Sequence, residues 1–125
     1  MKFKRKESFR HALERNVTAE CKIPSIKEDN EVIVETESCR LVDLSPSGAR
    51  IAMPVSLPVE DHPLNVELNF VLYAKPICVE GMIKWKRMQG DEFLYGIDLE
   101  ADEVMMELII SELKLRRRQE VKENL

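Results

Sequence analysis

The feature that most restricts how this chain can fold is strict two-residue alternation. Leu64, Val66, Leu68, Phe70 and Leu72 fall on one side of an extended backbone, and Asn65, Glu67 and Asn69 fall on the other. That is the pattern of a strand with one buried and one wetted face. The same period runs through Val17, Ala19, Cys21 and Ile23, and again through Phe93, Tyr95, Ile97 and Leu99. Half-wetted strands of this kind belong to antiparallel sheets. Residues 76–88 read as another long strand, with Ile77, Val79, Ile83 and Trp85 on the core face and Gly81 marking a bulge or bend. Shorter strands are expected at 31–35, 38–44 and 50–53. Residues 24–30 are a polar connection, Pro54, Pro58 and Pro63 punctuate a loop, and Gln89-Gly90-Asp91 is a turn.

From residue 101 the period changes to that of a helix. Val104, Met105, Leu108, Ile109 and Leu113 form a stripe among Asp102, Glu103, Glu107 and Glu112. Acid near the start and Arg116-Arg117-Arg118 at the end suit the helix dipole, with the three arginines expected in solvent. A helix following the last strand serves to lid a sheet edge or barrel mouth. The expected fold is mainly β: a small antiparallel barrel of six or seven strands closed by a carboxy-terminal helix. Residues 1–15 read as a basic arm, 16–118 as one barrel domain with its helix over about 101–118, and 119–125 as a tail.

Composition narrows the function classes. In 125 residues no run approaches the roughly 18 apolar positions of a membrane span, and Met1-Lys2-Phe3-Lys4-Arg5-Lys6 lacks the apolar core of a signal peptide. The expectation is a cytoplasmic protein without membrane insertion. Cys21, Cys39 and Cys78 have no close Cys-x-x-Cys spacing and only His11 and His62 beside them, so buried reduced thiols are expected, with no metal site. His62 reads as a loop residue. No nucleophile is paired with a histidine and an acid, and no catalytic residue is assigned: the chain does not read as an enzyme.

Charge is unevenly placed. The net is −4, yet residues 1–15 carry six basic side chains against two acidic, and residues 16–111 carry eight against eighteen. A DNA- or RNA-binding barrel spreads cations and exposed aromatics over one face. Here the body is acidic and Phe70, Trp85, Phe93 and Tyr95 are expected in the core, so neither nucleic acid is expected as a partner. A small anion held by one basic segment fits this distribution better.

Asp43-Leu44-Ser45-Pro46-Ser47-Gly48, followed by Ala49-Arg50, is a polar turn between two strands. Asp and Ser hold such turns by bonding nearby amides, and Gly48 meets any demand for positive φ. Together with the basic arm, this motif resembles the PilZ domain, a bacterial receptor for cyclic di-GMP. The family carries an Arg-x-x-x-Arg arm and, some thirty residues later, Asp/Asn-x-Ser-x-x-Gly. Asp43 to Gly48 matches the second motif at every defined position, and the strand order, Tyr95-Gly96-Ile97 and the final helix are also similar. The arm departs from the pattern, because Lys6-Glu7-Ser8-Phe9-Arg10 places a lysine where the family has its first arginine, with Arg5 one place earlier.

The resemblance implies a PilZ-like, split-barrel fold and a non-enzymatic receptor without cofactor. Its ligand is cyclic di-GMP, as one molecule or, with Arg5 before the arm motif, as a stacked dimer. Asp43 and Ser45 are then hydrogen-bonding contacts, Gly48 admits the backbone closely, and Arg5, Lys6 and Arg10 hold phosphates or bases, with Arg50 adding charge. Binding orders the arm against the barrel and alters a surface read by a protein partner. Lys6 opens a second reading. An arginine offers a planar fork to phosphate or guanine and stacks on bases, whereas a lysine is a point charge. The alternative is a PilZ-like interaction module that binds no nucleotide.

Overall fold

The computed structural model describes residues 11–26, 29–59 and 63–123. Six antiparallel strands close into a barrel: β1 (His11–Ile26), β2 (Val32–Ser45), β3 (Gly48–Met53), β4 (Leu64–Val71), β5 (Pro76–Gln89) and β6 (Glu92–Glu100), in the spatial order β1-β2-β3-β6-β5-β4. A helix, α1 (Glu103–Glu123), follows. The alternation fills the interior as its period requires. Val17, Ala19, Cys21 and Ile23 of β1, Val66, Leu68 and Phe70 of β4, and Tyr95, Ile97 and Leu99 of β6 are all buried in one core.

The residues expected to form two strands at 31–35 and 38–44 are one continuous β2. Its first half pairs with β1 through Ile33↔Ser25, Glu35↔Ile23 and Glu37↔Cys21. Its outermost residues, 32–34, project beyond the barrel wall, because the β1 ladder with β4, Glu20↔Asn69, Cys21↔Leu68 and Lys22↔Glu67, ends at Lys22. A two-stranded ribbon outside the wall has little core to face, so Val32 and Val34 are exposed and the apolar alternation that announces a strand is missing. Pro24, expected in a connection, stands inside β1 past its last β4 partner, where one strand edge is unpaired and proline is tolerated. At its other end β1 begins at His11, earlier than the alternation from Val17, with an irregularity between Ala12 and Val17.

The bend expected at Gly81 lies elsewhere. Register shifts between Ile83 and Trp85, while Gly81 faces inward, where an added Cβ would lie 2.7 Å from Ile97 Cγ2 and 2.8 Å from the Asp98 carbonyl. The extra residue turns Trp85 out of the core face, and it is 41% exposed. Phe70 and Tyr95 are in the core as expected, and Phe93 packs against it half-buried. Cys78 corrects a second expectation: Cys21 and Cys39 are buried, but Cys78 is exposed. Burial, reinforced by Glu37, pushes the Cys21 thiol up to about 12, and burial beside Cys21 pushes Cys39 up to about 12. Both thiols are therefore unreactive.

The two barrel mouths are closed differently. At the lower mouth, the Tyr95 hydroxyl donates to the Val55 carbonyl at 2.6 Å and accepts from the Leu57 amide at 2.8 Å, tying down the proline-rich loop. Lys86 Nζ donates to Ser56 Oγ and the Leu57 carbonyl, both at 3.0 Å. The upper mouth takes α1. Asp102 caps it, accepting from the Met105 amide at 2.8 Å, and Ile109 and Leu113 enter the core. Val104, expected in the stripe, is exposed. Farther along, Glu112 Oε1 accepts the amides of Tyr73, Ala74 and Lys75 at 3.2, 2.9 and 2.9 Å, fastening α1 to the β4–β5 turn. The helix continues to Glu123, through positions expected to be tail.

Candidate functional site

The β2–β3 turn has two central residues, Pro46 and Ser47, between the paired Ser45 and Gly48. Ser45 closes it: the Gly48 amide donates to Ser45 Oγ at 3.1 Å, and the hydroxyl faces the Gly48 carbonyl at 3.3 Å. Ser47 fastens the turn to the next strand, its carbonyl accepting from the Leu99 amide at 2.9 Å. The positive φ anticipated for Gly48 is not used; Gly48 opens β3 in extended backbone, and the left-handed glycine among the described residues is Gly90, at 64°. Ser45, Pro46 and Gly48 are all buried.

A register shift between Leu41 and Asp43 decides what this end of the barrel displays. By plain alternation Asp43 shares the inward face of Leu41. The shift instead leaves Leu41 and Leu44 in the core and sets Asp43 opposite Arg50 on the outer side. Arg50 donates from Nε to Asp43 Oδ2 at 2.7 Å, and its Nη2 bonds the same oxygen. Asp43 is 2% exposed and the Arg50 side chain 37%. The hydrogen bond to Asp43 and the attraction of its carboxylate raise the Arg50 pKa above its ordinary value, against the smaller pull of burial.

The ladder continues this line across four strands: Asp43↔Arg50, Arg50↔Gly96 and Gly96↔Trp85. Gly96 has no side chain because the indole takes its place. An added Cβ would come within 2.1 Å of Trp85 Cε2 and Nε1. The Arg87 guanidinium lies 5.6 Å from the Trp85 ring centre. One step down, Arg40, Ala52, Leu94 and Arg87 form the parallel row, and Arg40 Nη2 donates to Glu92 at 2.7 Å. The outer face thus offers a flat aromatic surface beside guanidinium groups, two of them, Arg50 and Arg40, paired with carboxylates. Such a surface suits a purine base and the phosphates attached to it.

Of the residues expected at the site, Asp43, Ser45, Gly48 and Arg50 come together here. Arg5, Lys6 and Arg10 lie outside the described residues, as does His62. The first described residue, His11, is the partner of Leu44, so the chain enters the barrel beside the turn. Trp85 and Arg87 were missed by sequence reasoning. The available signal was Gly96, a strand glycine calling for a neighbouring ring to cover it, whereas alternation alone put Trp85 inside. An outward tryptophan also removes one of the two arguments against nucleic-acid binding, and the acidic body remains the other. Among the described residues, no group of His, Cys, Asp and Glu side chains is placed to hold a metal ion, and no helix is long and apolar enough to cross a membrane.

Comparison with known proteins bears on the fold and the family. No curated protein sequence matches the chain significantly. Among solved structures, the chain is similar to the crystal structure of the PilZ domain of CeSA from a cellulose-synthesising bacterium. The TM-score is 0.51 at 20% identity, covering 88% of this chain and 98% of that one. The family model described as PilZ domain matches residues 4–114, which span the whole barrel and the first half of α1. The chain belongs to the PilZ domain family.

Proposed function

We propose that this protein is a cytoplasmic, non-enzymatic receptor for cyclic di-GMP, the ligand that PilZ domains generally bind. The observation that carries the reading is the single outer line of Asp43, Arg50 and Trp85, with the Ser45–Gly48 turn at its edge. Asp43 accepts the guanine N–H edge or holds Arg50 in plane to meet the guanine O6 and N7 pair. Trp85 stacks on a base. Arg5, Lys6 and Arg10 bring charge to the phosphates, and contacts to two phosphates offset the entropy lost on ordering the arm. The ordered arm then forms part of a surface read by a protein partner. A second, stacked ligand molecule would use Arg5.

Calorimetric titration with cyclic di-GMP tests the proposal. Heat of binding is expected by about 100 μM ligand, and its loss is expected in Arg10→Ala and in Asp43→Ala. Absence of heat in the natural sequence sinks the receptor reading. Lys6 favours one other reading, an interaction module without nucleotide. If Lys6→Arg creates binding that the natural protein lacks, that reading stands in its place.

A further inference from the structure

The basic run Arg116-Arg117-Arg118 is split by the helix into two roles. Arg116 turns inward, its side chain 15% exposed, donating from Nε to Glu120 Oε2 at 3.1 Å and from Nη1 to the Leu72 carbonyl at 2.9 Å. It belongs with Glu112 to the attachment of α1. Arg117 and Arg118 turn outward. With Lys114 and Lys122 they surround the exposed Val121, and the five side chains line one shallow depression of about 470 Å³. Spacings of three and four residues keep them on a single face of the helix.

This face is costly to the isolated domain. Lys114 and Arg118, and Arg118 and Lys122, are like charges four residues apart, and Lys114 and Arg117 are like charges three apart, which is repulsive on a helix surface. None of the four cations has an ion-pair partner among the described residues. The helix dipole favours cations only within the last turn, which contains Lys122. Lys114, Arg117 and Arg118 have no such compensation within the domain.

We propose that this face of α1 docks a short acidic segment of a partner protein, with one apolar side chain of that segment seated on Val121. The choice of partner follows from the rest of the molecule. Residues 16–111 carry eight basic against eighteen acidic side chains. A membrane or a nucleic-acid duplex is anionic over its whole extent and would bring that acidic body within about one Debye length, ~8 Å, of like charge. A short segment meets the cations alone. The distance from Lys114 to Lys122 along the axis is roughly 12 Å at the helical rise, the reach of about four extended residues.

The test is an anisotropy titration of the full chain against a fluorescein-labelled peptide of glutamates flanking one leucine. Duplex DNA and vesicles of equal parts phosphatidylcholine and phosphatidylglycerol run in parallel. Binding of the peptide is expected to weaken as salt rises and to fall roughly tenfold or more in Arg117→Glu/Arg118→Glu. Lys22→Glu/Lys84→Glu, which changes net charge equally at solvent-accessible sites on β1 and β5 where the lysines pair with Glu67 and Asp98, is expected to retain the affinity of the natural protein. Lys114→Ala/Lys122→Ala, which introduces no new charge, is expected to weaken binding in the same direction as the arginine pair, and thermal melting checks that each variant folds. No binding of the peptide, equal weakening in both glutamate pairs, or tighter binding of DNA or vesicles than of the peptide overturns the proposal.

Discussion

Glu112 is the residue on which the attachment of α1 turns. Its carboxylate is buried and receives three consecutive amides of the β4–β5 turn. Burial alone raises a carboxyl pKa, but the amides of Ala74, Lys75 and Tyr73, aided by the Lys75 charge, outweigh it and hold Glu112 below the usual carboxylate range. A group with a depressed folded pKa contributes its full stability above the unfolded value and loses it as pH falls through the folded one. Glu112→Gln is therefore expected to cost about 1–3 kcal/mol at neutral pH, as a charged acceptor is replaced by a neutral one. Melting temperatures followed from neutral to acid pH should show the gap between the two proteins closing. A constant offset across the titration would mean that the charge of Glu112 is not what fastens the helix.

At the scale of elements, the differences between what the sequence predicts and what the barrel contains are two added residues, one ribbon and an early, irregular start to β1 at His11. Alternation identifies β1, β4 and β6 because each buries one face. It also identifies the turn, since Asp43, Ser45 and Gly48 are the residue types a polar hairpin needs. An added residue leaves no mark of its own in the period. The shift after Leu41 brings Asp43 outward to Arg50, and the shift after Ile83 brings Trp85 outward over Gly96. Half of the outer line was thus hidden from a period-two reading, although every residue in it was visible. In the projecting part of the β1–β2 hairpin, residues 31–35 were legible as a strand, but 24–26 read as a connection and β2 as two strands for the opposite reason: this end has little core to face and so little period to show. The strand pair carrying Gly96 and Trp85 is open to a direct check, because Trp85 is the only tryptophan in the chain. Gly96→Ala is expected to lift the indole off β6, shifting intrinsic fluorescence to the red; under the proposed receptor function it also weakens cyclic di-GMP binding by roughly 1–3 kcal/mol, the usual worth of a base–aromatic stack. Unchanged emission in that variant would show that the ring does not rest on Gly96 in solution.

For the whole molecule, the consequential feature is the junction between β1 and β4. Twelve residue pairs join β1 to β2, and eight join β4 to β5, but three close the ring. Those three bring together Cys21 and Leu68, far apart in the chain, whereas most other ladders link consecutive strands. In kinetic terms this is a clasp: loop closure must be completed before its few bonds repay it, so it forms late in folding. By the same reasoning it is expected to be the place where the native ring parts first. Native-state hydrogen exchange should find the ladder amides of 20–22 and 67–69 exchanging through an opening of lower free energy than those of β3 and β6. If the amides of all six strands exchange only with global unfolding, the clasp is as strong as the rest of the ring. A barrel that parts at one seam admits strain from its rim without losing its core, so if exchange locates the opening there, the three residue pairs of that seam set how far the wall yields while the fold persists.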